Sequence, residues 1–237
     1  MDNKLVIIPT YNEKENIEAI IRKVMSLDGD FEVLVIDDNS PDGTADIVKK
    51  LQTEFQDKLH IIGRSGKQGL ATAYICGFHW AIENNYDYIF EMDADFSHNP
   101  DDLIKLYERA KNGYDVVIGS RYVCGVNVVN WPIGRVIMSY YASVYVRTIT
   151  GMPVNDSTAG FMCYSRKALE GMGIDKIRMK GYGFQIEMKY RSWKRGFKLS
   201  EVSIIFTDRT KGVSKMSSGI FGEAFWGVLA LRLRGVK

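Results

Sequence analysis

The chain has 237 residues, of which 46% are hydrophobic and 25% are charged, and its formal net charge is +2. This composition is typical of a globular protein and excludes a disordered chain. The near-neutral charge gives no general case for nucleic acid as a partner. The N-terminal residues lack the layout of a signal peptide, and no stretch approaches the ~20 apolar residues that span a bilayer. We therefore expect a cytoplasmic protein.

Short apolar runs alternate with amphipathic segments over the first 120 residues. Asn12 suits a helix N-cap, with Glu15 closing a capping box, and the segment 9–11 is expected to end the first strand. The alternation predicts an α/β fold with a mostly parallel, Rossmann-like sheet flanked by helices. The other predicted helices cover residues 45–55, 70–85 and 101–111, and the predicted strands cover residues 4–8, 31–36, 59–62, 88–92 and 115–120.

The second half of the chain is more elaborate. A long loop (121–134), a helix (135–149), a strand (161–164), a helix (181–195) and a strand (197–207) are predicted there. No linker composition or internal repeat divides the chain, so residues 1–216 are expected to form one domain. Residues 217–237 are predicted to form an amphipathic helix with a basic end. That helix either lies at a membrane interface or docks on the protein core.

Three cysteines are present, widely spaced and without a CxxC pair, which argues against a disulfide framework or a structural zinc. The sequence also lacks a GxGxxG after the first strand and a GxxxxGK[ST] loop. A dinucleotide-binding Rossmann domain is therefore disfavoured, and a bound nucleotide must be held by other means.

Carboxylates follow the first, second and fourth predicted strands. They are Glu13, the pair Asp37 and Asp38, and the pair Asp93 and Asp95. Because the carboxyl ends of parallel strands meet at one edge, these acids are expected to face one crevice. Asp93-Ala94-Asp95 alone could be a solvated turn that caps the next helix. Taken with the other acids it predicts a site for Mg²⁺ or Mn²⁺, which prefer oxygen ligands and share them with phosphates.

Basic side chains follow the remaining strands. Arg121 comes after the fifth strand, Arg135 begins a helix, and Arg209, Lys211 and Lys215 surround a glycine after the last strand. Residues 208–215 are either a loop that closes over anionic groups or a solvated basic loop. The three histidines share no metal-ligand spacing, so zinc is not expected.

These motifs together resemble the family 2 inverting glycosyltransferases of the GT-A fold, and within them the dolichol-phosphate (polyprenyl-phosphate) mannose synthases. The resemblance covers nearly the whole chain in order. It is carried by Ile8–Glu13, Val35–Thr44, Met92–His98, Gly119–Tyr122, Gly181–Glu187, and Arg209-x-x-Gly212-x-Ser214-Lys215.

The resemblance implies transfer of mannose from GDP-mannose to a polyprenyl monophosphate, with inversion, at the cytosolic face of the membrane. Its implied donor-binding residues are Pro9, Tyr11, Glu13, Ile36, Asp38, Asp93, Ala94, Asp95, Arg209 and Lys215, with Mg²⁺ or Mn²⁺ on Asp93 and Asp95. It implies Arg121 and Arg135 for the acceptor phosphate, and Asp95 and Arg121 as the catalytic residues. A third metal ligand of some relatives falls at Ser97, whose hydroxyl is a weaker ligand than a carboxylate.

Two other functions fit the same residues. One keeps the fold and the lipid acceptor but uses UDP-glucose or another nucleotide sugar. The other is a non-catalytic nucleotide-sugar-binding subunit of a membrane complex. Some members of the family carry C-terminal transmembrane helices, whereas this chain has one short apolar segment there. The resemblance therefore favours peripheral membrane binding, alone or through a membrane-protein partner.

Overall fold

The computed structural model describes residues 2–208 and 220–236, with side chains for all of these except residues 220–224. The described strands are β1 (Lys4–Thr10), β2 (Phe31–Asp37), β3 (Leu59–Gly63), β4 (Tyr88–Glu91), β5 (Val116–Ser120), β6 (Val128–Val129), β7 (Met162–Ser165), β8 (Leu199–Ser203) and β9 (Phe206–Thr207). The described α-helices are α1 (Ile17–Met25), α2 (Thr44–Phe55), α3 (Leu70–Glu83), α4 (Asp102–Lys111), α5 (Ile133–Thr150), α6 (Arg166–Met172), α7 (Gly181–Lys194) and α8 (Ile220–Arg234).

Seven strands form the central sheet in the order β3-β2-β1-β4-β7-β5-β8, and β6 pairs with β9 in a separate small sheet. Strand β7 is antiparallel to β4 and β5, while the other pairs of the central sheet are parallel. The predicted mostly parallel α/β sheet is therefore confirmed. The reversed strand has a consequence for the site, because residues before β7 lie at the edge where β4 and β5 end.

Both faces of the sheet are covered by helices. In β1, Leu5 and Ile7 face one hydrophobic cluster, and Val6 and Ile8 face the other. This two-residue alternation with apolar side chains on both faces explains the continuous apolar run in the sequence. The first cluster includes side chains of α3, α6, α7 and α8, and the second includes side chains of α1, α2 and α4.

Two local predictions at the start of the chain are wrong. Strand β1 continues through Pro9 to Thr10, because β4 ends opposite Ile7 and proline is tolerated where a strand has one neighbour. Asn12 is not an N-cap, since α1 begins at Ile17. Asn12 instead has a left-handed backbone (φ 56°), and its N–H donates to Ser40 Oγ at 3.0 Å.

Later boundaries also differ from expectation. The predicted strand over 197–207 is two strands, β8 in the central sheet and β9 in the small sheet with β6. Strand β6 lies inside the segment predicted as a loop, and α6 was not predicted at all. Helix α8 packs on the protein through Val228 and Leu231, which are buried, as expected for a docked C-terminal helix.

Helix α3 packs closely on β1 at Gly77. A Cβ added there would lie 2.8 Å from Ile7 Cγ2, whereas one added at Gly134 in α5 would meet nothing within 4 Å. We expect Gly77→Ala to lower the free energy of unfolding by about 1–3 kcal/mol through overpacking. Gly134→Ala should leave it unchanged or raise it by up to about 1 kcal/mol, because alanine favours helix. Urea unfolding of both variants tests this, and equal effects would contradict the proposed packing.

Candidate active site

A cleft of about 530 Å³ opens at the edge where the parallel strands of the central sheet end. Most of the predicted site residues within the described part of the chain line it. They are Pro9, Tyr11, Glu13, Asp38, Asp93, Ala94, Asp95, Arg121 and Arg135. Arg209 and Lys215 lie outside the described residues. Ile36 differs from the expectation, because its side chain is fully buried in the core and does not line the cleft.

The end of the cleft beside β1 and β2 is formed by Tyr11, Glu13 and Asp38. The Asp38 carboxylate is buried, forms an ion pair with Arg64 and accepts a hydrogen bond from the Gln68 N–H at 3.1 Å. The Lys67 ammonium lies 5.2 Å from the centre of the Tyr11 ring. An aromatic face and a fixed carboxylate are suited to a planar, hydrogen-bonding group such as a nucleobase or a ribose.

Asp37 has a structural role beside this end. It is almost fully buried and accepts hydrogen bonds from Thr10 Oγ1 at 2.8 Å and from the Ser40 N–H at 2.9 Å. These contacts fasten the β2–α2 turn to the end of β1. Of the two neighbouring aspartates that the sequence places here, only Asp38 lines the cleft.

The segment Asp93-Ala94-Asp95 lies in the middle of the cleft, after β4. Asp95 is buried, and its Oδ1 accepts a hydrogen bond from the Ser97 N–H at 3.0 Å. His98 stacks on Phe161 with ring centroids 4.9 Å apart, and burial lowers the pKa of His98 to about 4. His98 is therefore neutral at physiological pH and packs beneath the aspartates, unlike the cap or surface residue that a histidine in a turn suggests.

Arg121 is held by an aspartate that the sequence analysis did not single out. Its Nε and Nη2 donate to the two carboxylate oxygens of Asp156 at 2.7 and 2.6 Å, and Nη2 also donates to Thr158 at 2.8 Å. Burial alone would raise the pKa of Asp156, but the charge and hydrogen bonds of Arg121 outweigh it and lower the pKa. Nε and Nη2 of Arg121 are thus occupied within the protein, whereas Nη1 has no hydrogen-bond acceptor among the described residues.

Arg135 lies beside Arg121 at the same end of the cleft. The Arg135 guanidinium carbon Cζ lies 4.0 Å from the centre of the Trp131 ring, and Nη1 donates to both carboxylate oxygens of Asp208 at 3.0 Å. Trp131 also lines the cleft, and its indole N–H is buried without a hydrogen-bond partner among the described residues. This end of the cleft therefore combines two cations with an unused donor.

A layer of buried polar groups lies beneath the cleft. Glu91, at the end of β4, is fully buried, and burial raises its pKa. Lys189 on α7 is also fully buried, and burial lowers its pKa. Its ammonium donates to the Ala159 carbonyl at 2.6 Å and so supports the loop that precedes β7.

Several cleft residues were missed by the sequence analysis. Trp131, Tyr74, Thr158, Tyr182 and Gln185 line the cleft, and Asp156 orients Arg121 from behind it. Tyr182 and Gln185 belong to a segment that carried the resemblance, but no role was assigned to them. The polar run 156–160, which includes Asp156, by itself indicates only a connection that precedes a strand.

Comparisons with known proteins agree with this architecture. The sequence profile of "Glycosyl transferase family 2" matches residues 5–173. The chain is 42% identical over 231 residues to the polyprenol monophosphomannose synthase of Mycolicibacterium smegmatis, covering 98% of this chain and 87% of that protein. It is 43% identical over 238 residues to the undecaprenyl-phosphate mannosyltransferase of Micrococcus luteus, covering 98% of this chain and 97% of that protein.

Among solved structures, the glucosyl-3-phosphoglycerate synthase of Mycobacterium tuberculosis, in complex with Mn²⁺, UDP and glucosyl-3-phosphoglycerate, superposes with a TM-score of 0.69. The match covers 98% of this chain and 79% of that one at 19% identity, and it therefore supports the fold alone. The chain belongs to glycosyltransferase family 2 and has the GT-A fold. The enzyme class and the family predicted from the motifs are thereby confirmed.

The Arg121–Asp156 pair gives a stability prediction. Asp156→Asn should lower the free energy of unfolding by about 3–5 kcal/mol at pH 7, because it leaves a buried guanidinium without its counter-charge. The wild-type pKa of Asp156 is lowered on folding, so the pair stabilises fully above the unfolded pKa of ~3.9. That contribution is lost as the pH falls through the lowered value.

Denaturant titrations of wild type and Asp156→Asn from pH 7 down to pH 3 measure the difference between their free energies of unfolding. This difference should become smaller in acid. Glu54→Gln, in the fully exposed pair with Arg22, is the control and should change stability little at any pH. A difference in the free energy of unfolding that does not change with pH would contradict the assignment of the stabilisation to the Asp156 charge.

Proposed function

We propose that this glycosyltransferase transfers mannose from GDP-mannose to a polyprenyl monophosphate with inversion at the sugar carbon. The observation that carries the proposal is a single cleft with acids in the middle and two paired arginines at one end, in a chain 42–43% identical to two enzymes named for this class of reaction. The other nucleotide sugars, UDP-glucose among them, are alternatives for the same cleft and are distinguished by the assay below.

The donor is assigned to the end beside β1 and the middle of the cleft. Tyr11, Glu13 and Asp38 would contact the nucleoside, and the diphosphate would lie at Asp93, Ala94 and Asp95. Two carboxylates fit Mg²⁺ or Mn²⁺, because these hard cations take oxygen ligands and complete their shell with phosphate oxygens and water. When bound, such an ion stabilises negative charge on the leaving diphosphate. Arg209 and Lys215 of the motif Arg209-x-x-Gly212-x-Ser214-Lys215 are proposed to contact the donor phosphates.

Within the described residues, no group of three or more His, Cys, Asp or Glu side chains is arranged to hold a metal ion. This agrees with a site in which Asp93 and Asp95 supply part of the coordination and the substrate supplies the rest. The hydrogen bond from the Ser97 N–H orients the Asp95 carboxylate, so that its oxygens are held in place for the metal ion.

The acceptor phosphate is assigned to Arg121, Arg135 and the Trp131 indole N–H. A phosphate monoester has a second pKa near ~6, so the nucleophilic oxygen is already anionic at neutral pH. A general base is therefore unnecessary. The chain must instead hold one anion beside another, and Arg121 is oriented for this by Asp156, while Arg135 is oriented by Asp208 and Trp131.

A lipid acceptor implies contact with a bilayer, and exposed apolar side chains lie on α5 and α8. Their exposed fractions are 74% for Ile133, 51% for Ile137 and 64% for Tyr141 on α5, with 70% for Trp226 and 87% for Leu233 on α8. The two helices pack together, since Tyr145 stacks on Phe225 at 4.8 Å. We infer that this joint surface binds the cytosolic face of a membrane peripherally, alone or with a membrane-protein partner. Among the described residues, no helix has the length and apolar character to cross a bilayer.

The activity prediction concerns the metal aspartates. Purified protein with labelled GDP-mannose, Mn²⁺ and a polyprenyl phosphate should label the lipid, and EDTA should abolish the reaction. Asp95→Asn should lower kcat/KM by about 100-fold or more, because a charged ligand of the leaving-group site is lost. Glu83→Ala, at an exposed position of α3, should be indistinguishable from wild type.

Parallel reactions with labelled UDP-glucose identify the donor. Label that reaches the lipid only from a UDP-sugar would refute the mannose assignment while keeping the fold and acceptor. Binding of GDP-mannose without any transfer would favour a nucleotide-sugar-binding subunit. Full activity of Asp95→Asn would contradict the metal site.

The membrane prediction uses substitutions of exposed residues. Deleting α8 would remove buried Val228 and Leu231, so truncation would test folding as well as binding. Trp226→Ser with Leu233→Ser should instead weaken sedimentation with anionic liposomes roughly tenfold, because exposed apolar area that enters the bilayer is lost. Lys49→Ser with Thr53→Ser on α2, against the opposite face of the sheet, is the control. Unchanged binding of the α8 variant would refute the surface.

A further inference from the structure

Besides the Trp131 indole N–H, two further buried polar atoms of the same cleft have no hydrogen-bond partner among the described residues: the Tyr74 hydroxyl and Gln185 Oε1. The Tyr74 side chain is fully buried and Gln185 is 3% exposed. Leaving such a group unsatisfied costs about 1–3 kcal/mol, and native proteins retain few of them. Two such atoms in one cleft therefore indicate a ligand that supplies the missing hydrogen bonds.

The Gln185 amide nitrogen bonds Glu91. This Nε2 donates to Glu91 Oε2 at 2.5 Å, and Tyr164 donates to the other oxygen of Glu91 at 3.4 Å. Glu91 Oε2 can accept this bond whether the acid is charged or neutral, since the neutral form keeps acceptor capacity. With the amide nitrogen held by Glu91, the Gln185 carbonyl oxygen is left as an acceptor for a ligand.

The Tyr74 ring is held in place by its neighbours. It stacks on Phe184 with ring centroids 6.2 Å apart and an interplanar angle of 2°, and on Phe78 at 6.1 Å. Burial raises the pKa of the Tyr74 hydroxyl well above its usual value, and the negative charges of Asp93 and Glu91 raise it further. The hydroxyl is therefore neutral, and it can both donate and accept a hydrogen bond.

The chemistry of this pair matches hydroxyl groups better than phosphate. Phosphate oxygens call for cations or several N–H donors, whereas Tyr74 and Gln185 offer neutral groups, one of which is only an acceptor. Their place in the fold agrees. Gln185 is bonded to Glu91, which ends β4 directly before the proposed diphosphate site, and Tyr164 of the neighbouring strand β7 bonds the same carboxyl group.

We propose that Tyr74 and Gln185 bind hydroxyl groups of the transferred sugar and so determine which hexose the enzyme accepts. This inference rests on the proposed function and names the sugar-recognising residues of that same cleft. Glu91 acts through Gln185 and is a positioning residue. Lys189 supports the same region, because its ammonium donates to the backbone carbonyl oxygens of Ala159 and Gln185 at 2.6 and 3.3 Å.

The test compares binding of GDP with binding of GDP-mannose, both with Mn²⁺, by calorimetry. Tyr74→Phe removes one atom that has no hydrogen-bond partner among the described residues, so the melting temperature should be unchanged or raised. The affinity for GDP should equal that of wild type, while the affinity for GDP-mannose and kcat/KM should each fall about tenfold. Gln185→Met, of similar length, should show the same selective loss.

Tyr86→Phe is the matched control. Tyr86 is also buried, but its hydroxyl bonds Glu32 and it does not line the cleft. This variant should lower the melting temperature and leave the ratio of the two affinities unchanged. A Tyr74→Phe protein that melts lower than wild type and binds GDP-mannose normally would overturn the proposal, because the hydroxyl would then be structural.

Analogues of GDP-mannose that each lack one sugar hydroxyl make the test specific. At least one analogue should bind wild type about tenfold more weakly than GDP-mannose does. One of the two variants should bind that same analogue as tightly as it binds GDP-mannose, because the contact is already lost. If every analogue lost the same affinity relative to GDP-mannose in wild type and in both variants, the proposed contacts of Tyr74 and Gln185 would be refuted. If wild-type protein transfers mannose but neither variant changes the affinity ratio, this inference alone fails. If wild type binds no nucleotide sugar, the proposed function fails with it.

Discussion

The buried ion pair between Arg121 and Asp156 joins two segments of the chain beside the cleft. Arg121 follows β5, and Asp156 lies in the segment before β7. Because β7 runs antiparallel to β4 and β5, that segment reaches the edge where the parallel strands end. Asp156 accepts three hydrogen bonds from Arg121, one from the backbone and two from the side chain. The direction of the guanidinium is thus set before any substrate binds.

The distribution of charge in the cleft follows from the reaction proposed for it. Both substrates are anions, so a site that brought them together without cations would repel them. Carboxylates at Asp93 and Asp95 suit a bridging metal ion, and Arg121 and Arg135 suit the second phosphate. Tyr74 and Gln185 are neutral and line the same cleft, where we propose that they contact the sugar. The cleft therefore offers acidic, neutral and basic side chains to the metal ion, the sugar and the acceptor phosphate of the proposed reaction.

The elements with strong local patterns were predicted well. Strands β2, β3, β4 and β5 and helices α2, α3 and α4 were placed within one or two residues, because their apolar spacing is visible in a short window. The errors fall where tertiary contacts override local preference. The left-handed backbone of Asn12 (φ 56°) prevents a helix from starting there, and the N–H groups of Asn12 and Glu13 donate to Ser40 and Thr44, which hold the segment in place.

The amino-acid sequence by itself determined the parallel sheet and the acids at its edge, because side-chain period and position after a strand are local properties. It also indicated Arg121 and Arg135 by their place after β5. The tertiary structure alone decided that β7 enters the sheet reversed, that Arg121 pairs with an aspartate thirty-five residues away, and that Gln185 turns its oxygen outward from Glu91. These are pairings between distant segments, and their partners are chosen by burial in the folded protein rather than by any spacing along the chain.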